Sequence, residues 1–205
     1  GNDLLIPLAQ SEDQLTLKEM FNGSTQYHID AFEFTDSGET LTRAELFEAL
    51  PVLSNIQGDD SDQILTGYYG VDIIRGAGGS DTINGLEGND ELFGDEGDDA
   101  INVGAGNDVL MGGAGIDVLS GDTGDDILDG GVGDDTLDGG AGNDRFLFGY
   151  GSGRDTINQR DSFSTADTVV FGEGISLTEL ALIKEGNDLL IPLAESNDQL
   201  TLKEM

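Results

Sequence analysis

The stretch GGAGIDVLSGDTGDDILDGGVGDDTLDGGAGNDRFL, residues 112–147, is four nine-residue units laid end to end. The same unit runs from Gly58 to Leu147 ten times, with no insertion or deletion. Its first position is Gly in nine of ten units (Val103 departs), and its fourth is Gly in nine (Ser61 departs). The sixth is Asp in nine, with Gln63 in the remaining one, and the eighth is Leu, Ile or Phe in all ten. A disordered Gly/Asp tract has no reason to keep an apolar residue at a fixed position. The pattern therefore specifies structure.

Each position has a physical task. Gly at one and four admits backbone with φ > 0, and Asn or Asp at five tolerates the same region. Six such residues make a tight turn whose carbonyls can point inward. The following x-apolar-x forms a short strand with one side chain facing a core. Two units then close an eighteen-residue coil, and stacked coils place each unit over the next but one, at a strand spacing of about 4.8 Å.

That stacking arranges the aspartates in two files. Asp81, Asp99, Asp117 and Asp135 form one, headed by Gln63; Asp72, Asp90, Asp108, Asp126 and Asp144 form the other. Bare carboxylates one strand apart repel, and a hard divalent cation between them removes the repulsion. Oxygen-only ligands in a flexible cage suit calcium, whereas magnesium demands a tighter octahedron. The expectation is up to about eight calcium ions, with the Gln63/Asp81 gap weak or empty.

The unit matches the GGxGxDxUx repeat, and the chain resembles the RTX (repeats-in-toxin) haemolysin-type calcium-binding family across residues 58–147. The resemblance implies an all-β fold, a right-handed parallel β-roll (β-solenoid) with calcium between successive turns. It implies carbonyl ligands from the turns as well, among them Gly76, Gly79, Gly85, Gly88, Gly94, Gly97, Gly106, Gly112, Gly115, Gly121, Gly124, Gly130, Gly133, Gly139 and Gly142. The departures at Ser61, Gln63 and Val103 weaken the sites they touch. GSGRDTI (151–157) echoes the unit out of register, so Asp155 is a further candidate ligand.

Composition narrows the partners. With 42 acidic against 8 basic residues the net charge is −34, a surface that repels nucleic-acid backbones and anionic membranes. There is no cysteine and no apolar run of membrane-spanning length. The chain opens mid-pattern on Gly1 with no charged leader segment, which reads as a cut end. His28 is the single histidine and sits in the alternating run YHIDAFEF, without a Ser or Cys arrangement around it. No enzyme is expected.

The flanks read as caps: residues 1–57 as the second half of a cap domain with a short helix, 148–205 as the first half of the next. Turn signals separate expected strands at Leu180–Lys184, Leu189–Leu193 and Gln199–Lys203. Tyr27–Phe34 reads as a strand, and Thr42 with Glu45 has capping-box spacing for a helix over Arg43–Leu50, stopped by Pro51. The segment from GNDLLI to TRAEL resembles the haemolysin-type calcium-binding related domain, which implies a role in capping and nucleating the roll. Residues 1–20 and 186–205 agree at 18 of 20 positions, a separation of 185 residues. That period reads as one unit of a tandem array, with a one-off duplication in a short protein as the alternative.

The expected function follows: a calcium-binding module of a secreted bacterial protein, extracellular or at the cell surface, stiffening an adhesin-like array when calcium binds. The resemblance implies export by a type I system. The alternatives are a polymer-binding or folding-assisting appendage of a secreted epimerase, lipase or protease, or the repeat block of a pore-forming toxin. Head-to-tail self-association is a further expectation. Acidification toward about pH 4 is expected to release calcium and unfold the roll.

Overall fold

A computed structural model describes residues 4–7, 14–17, 31–34, 39–42, 54–158, 166–176, 178, 180–194 and 196–203. The chain divides into two units, Gly1–Ala49 and Leu50–Met205.

In the first unit, β1 (Leu4–Pro7) pairs antiparallel with β2 (Gln14–Leu17), and β3 (Ala31–Phe34) with β4 (Glu39–Thr42). The end of the strand expected at Tyr27–Phe34 is present as β3. The helix expected over 43–50 lies outside the described residues, none of which is helical.

The second unit is the parallel β-solenoid that the repeat predicts. One sheet has seven strands: β5 (Ser54–Gln57), β7 (Asp72–Gly78), β9 (Glu91–Glu96), β11 (Val109–Ala114), β13 (Ile127–Val132), β15 (Arg145–Phe148) and β17 (Thr168–Phe171). The other has nine. Its parallel part comprises β6 (Ile64–Thr66), β8 (Thr82–Glu87), β10 (Ala100–Ala105), β12 (Val118–Ser120), β14 (Thr136–Asp138), β16 (Arg154–Asn158) and β20 (Gln199–Lys203). Alternate units feed alternate sheets, so Ile74 pairs with Leu92 and Leu92 with Leu110, eighteen residues apart each time.

The position-eight side chains stack into two apolar columns between the sheets. Ile74, Leu92, Leu110, Leu128 and Phe146 fill one; Ile83, Ile101, Leu119, Leu137 and Ile157 fill the other, all within 2% of full burial. Each contributes about 1.5–3 kcal/mol of transfer free energy. This is why position eight never becomes polar.

Residues 54–57 and the C-terminal flank continue both sheets. Ser54–Gln57 is already the edge strand of the seven-stranded sheet, ahead of the first nonapeptide. At the other end β17 adds to β15 and β20 adds to β16, both parallel. The last strand folds back antiparallel on β19 (Asp188–Pro192), which pairs with β18 (Ile183–Glu185), as the turn signals predict. Phe148 and Phe171 meet edge to face at 6.3 Å, and Ile191, Leu193, Leu200 and Leu202 close the core.

The turn chemistry differs from the expected assignment. Positive φ falls at positions two and four, not one and five: Gly113 has φ 113° and Gly115 146°. Ala77, Leu86, Asp95 and Asp122 occupy position two with φ between 61° and 90°, a strained state for side-chain-bearing residues. Position five does another job. Its side-chain oxygens form surface ladders, as where Asn89 accepts from the Asn107 N–H at 2.8 Å and Asn107 from the Asp125 N–H at 2.9 Å.

Candidate metal centre

The two aspartate files are where the spacing predicts them. Each position-six Asp follows a tight turn and precedes a strand, which directs its side chain under the turn and out of solvent. Asp72, Asp81, Asp90, Asp99, Asp108, Asp117, Asp126, Asp135 and Asp144 are all at least 98% buried. Along one file Asp72 N donates to Asp90 Oδ1 at 2.9 Å, Asp90 N to Asp108 at 2.7 Å and Asp108 N to Asp126 at 2.9 Å. Along the other, Asp81 N donates to Asp99 at 2.7 Å, Asp99 N to Asp117 at 2.8 Å and Asp117 N to Asp135 at 2.8 Å.

The second oxygen is the informative one. In Asp81, Asp90, Asp99, Asp108, Asp117, Asp126, Asp135 and Asp155, Oδ2 is buried and has no hydrogen-bond partner. Buried polar atoms are nearly always satisfied, and a charged one left bare is costly. Burial accordingly pushes Asp90, Asp117 and Asp155 up to about 7, Asp126 to about 8 and Asp108 to about 6. A neutral carboxyl or a bound cation resolves the cost.

Position-one glycines shape the space beside that oxygen. A Cβ on Gly85 would sit 2.6 Å from Asp90 Oδ2 and 2.7 Å from the Val103 carbonyl oxygen of the next turn. Gly94, Gly112 and Gly121 repeat the arrangement with Asp99, Asp117 and Asp126. Gly here serves space rather than φ. Each cradle joins one carboxylate oxygen to a backbone carbonyl of the turn above, an all-oxygen donor set of the kind calcium takes. Among the described residues no group of three or more His, Cys, Asp or Glu side chains gathers at one point. The candidate ligands are single carboxylates supplemented by backbone.

Three positions depart from this arrangement, two of them at sequence exceptions. Gln63 holds the place of an Asp, but its neutral Oε1 accepts from Asp59 N at 2.9 Å. Asp72 has both oxygens engaged, by Ser54 Oγ and Tyr68 N, each at 2.6 Å. Val103 puts a fully buried side chain where other turns leave the cradle beside the Asp five residues on, here Asp108.

The files extend beyond the ten units. Asp155 Oδ1 accepts from Asp135 N at 3.1 Å, which places this further candidate in line. Asp167 accepts from Asp144 N at 3.0 Å, a continuation that the nonapeptide spacing misses because 23 residues separate them. The shorter signal Asp-x-apolar-x, present as DTIN at 155–158 and DTVV at 167–170, finds both. Asp198 serves differently: its carboxylate accepts from Gly151 N at 2.9 Å and Gly153 N at 3.0 Å, and fastens the last strand.

The outer faces of the two sheets are unlike. Ile73, Phe93, Val109, Met111, Ile127 and Leu147 lie on the seven-stranded face, where Arg75 stacks 3.8 Å above the Phe93 ring. The other face presents Thr82, Asn84, Asn102, Ser120, Thr136 and Asp138. No aromatic or basic stripe runs along either in sequence. Sorting position seven and nine residues by alternate units exposes the contrast, which a single pass along the chain hides.

Known families match both parts. The RTX calcium-binding nonapeptide repeat (4 copies) matches residues 57–92, 75–110 and 111–146, and the haemolysin-type calcium binding protein related domain matches residues 3–45. No curated protein sequence matches the chain. Among solved structures, the AlgE6R3 subunit of the Azotobacter vinelandii mannuronan C5-epimerase is 22% identical, with 75% of this chain and 77% of that one covered and a TM-score of 0.26. Residues 57–146 thus match the RTX haemolysin-type calcium-binding repeat, and residues 3–45 the haemolysin-type calcium binding protein related domain.

Proposed function

We propose that this chain is a calcium-folded module of a secreted bacterial protein, one unit of an extracellular, adhesin-like array, with no catalytic role of its own. One observation carries the calcium reading: a buried carboxylate oxygen without a partner recurs turn after turn beside a position-one cradle. Asp81, Asp90, Asp99, Asp117, Asp126, Asp135, Asp144 and Asp155 would hold the ions, with carbonyls of position-one residues such as Gly94 and Gly112. Asp72 and Asp108 would contribute less, for the reasons given by Tyr68 and Val103. The cation would supply charge neutralisation, which a chain of net charge −34 needs before it can compact.

Because the unfolded chain has no preformed site, binding energy becomes folding energy. Extracellular modules bind calcium with Kd of roughly 10⁻⁴–10⁻³ M, so the chain stays unfolded in a low-calcium cytosol and suits a secretion channel. The 185-residue separation of matching ends supports the array. Calorimetric calcium titration with parallel far-UV CD tests the reading; a folded roll that binds no calcium overturns it.

A further inference from the structure

The chain contains the same hairpin twice, in two settings. In β19–β20, Leu189 pairs with Leu202, Leu190 with Thr201, Ile191 with Leu200 and Pro192 with Gln199. In β1–β2, Leu4 pairs with Leu17, Leu5 with Thr16, Ile6 with Leu15 and Pro7 with Gln14, the same register shifted by 185 residues. The later hairpin is built into the roll: Gln199–Lys203 lies parallel to Arg154–Asn158, from Arg154↔Gln199 to Asn158↔Lys203. Among the described residues the earlier one pairs with no further strand.

The docking strand is the invariant part. Residues 13–18 read DQLTLK, as do 198–203, and the two differences between copies, Gln10/Glu195 and Glu12/Asn197, fall between the strands. Asp13 therefore carries the carboxylate type that Asp198 uses to fasten the strand to Gly151 and Gly153. A short strand with an open edge is a template for pairing, and exchange of identical elements is a low-cost route to association.

We propose that Gln14–Leu17 is a docking strand for the C-terminal roll edge of a second copy of this chain. It lies parallel to Arg154–Asn158 in the register that Gln199–Lys203 takes, and displaces that strand. Successive copies then join head to tail, each N-terminal hairpin closing the roll of the molecule before it. In a single chain the resident hairpin competes at an effective concentration of the order of millimolar, so the exchange is a minor event until the resident strand is loosened. The inference rests on the calcium-folded reading, because Arg154–Asn158 presents an edge only in a formed roll.

Full-length chains test it by cross-linking, since the sequence has no cysteine. Thr156 pairs with Thr201 in the roll, and Thr16 is the sequence counterpart of Thr201. A chain carrying Thr156→Cys is mixed with a size-tagged chain carrying Thr16→Cys, in calcium and moderate salt, and oxidised. Thr156→Cys/Thr201→Cys in one chain is the positive control for the geometry. The mixed dimer is expected well above both like-with-like dimers, and Asp198→Ala in the first chain raises its equilibrium population at least about tenfold by removing two charge-assisted hydrogen bonds. A mixed dimer at the random level, unmoved by Asp198→Ala while CD shows a folded roll, overturns the docking alone. A chain that shows no calcium-dependent fold overturns both this inference and the calcium reading.

Discussion

The backbone N–H of Asp90 donates to Oδ1 of Asp108 at 2.7 Å, and Oδ2 of Asp108 is left buried with no hydrogen-bond partner. One oxygen of each such carboxylate stitches two turns together while the other requires a proton or a cation. The proton and the metal therefore compete for the same atom.

Asp126→Asn keeps the oxygen that accepts from Asp108 N at 2.9 Å and removes the charge. The change is expected to act with opposite signs. In calcium it weakens binding and destabilises the roll by on the order of 2 kcal/mol, and in chelator it stabilises any residual roll, because a bare buried charge is gone. Denaturant melts of both proteins in both buffers read the two signs.

The pH dependence is expected to invert with metal. Burial raises Asp90, Asp117 and Asp155 to about 7 and Asp126 to about 8, far above the usual carboxylate value near 4. Between those values the metal-free roll binds more protons than the unfolded chain, so its stability is greatest near pH 4 and falls as pH rises to about 8. The calcium-loaded roll loses metal as protons take the same oxygens. The sequence alone leads to an expectation of both calcium release and unfolding in acid; because the buried carboxyls accept protons in place, release of calcium with retention of the roll is the outcome expected here. Thermal melts across pH, with and without chelator, measure both slopes.

Val103→Gly is expected to open the cradle beside Asp108. The variant loses a fully buried side chain, which costs the metal-free roll about 1–2 kcal/mol. In return, its calcium affinity rises, and native mass spectrometry should detect one further ion. An unchanged count with unchanged affinity shows that Val103 leaves the site intact.

Much of this was legible in the nonapeptide, for identifiable reasons. Period nine fixed the eighteen-residue register, and the constant apolar residue at position eight fixed the core. The two Asp files, with Gln63 at the head of one, followed from position six. Three features escaped because they depend on atoms that a repeat consensus does not show. Position-one Gly answers to the carboxylate and carbonyl packed beside it, not to φ. Asp72 is satisfied by the Tyr68 N–H, one place in the turn where neighbouring units differ. Asp167 continues its file only after a longer connection breaks the period.

Leu86→Gly is expected to raise stability by about 1 kcal/mol, because Leu86 holds φ 90° and is 39% exposed, so relief of strain outweighs lost packing. Gly113→Ala is expected to lower it by more, since φ is 113° and a Cβ would run into the Asp95 carbonyl. Chemical denaturation in saturating calcium separates the two.

Whether calcium at the buried Oδ2 atoms holds the roll together is decided by far-UV CD of the full chain at about pH 8.5, above the raised carboxyl values, titrated with calcium from excess chelator. A coil spectrum in chelator and a cooperative gain of β-sheet signal as calcium is added are expected. A full β-sheet spectrum in chelator at that pH, unchanged by calcium, rules the calcium role out.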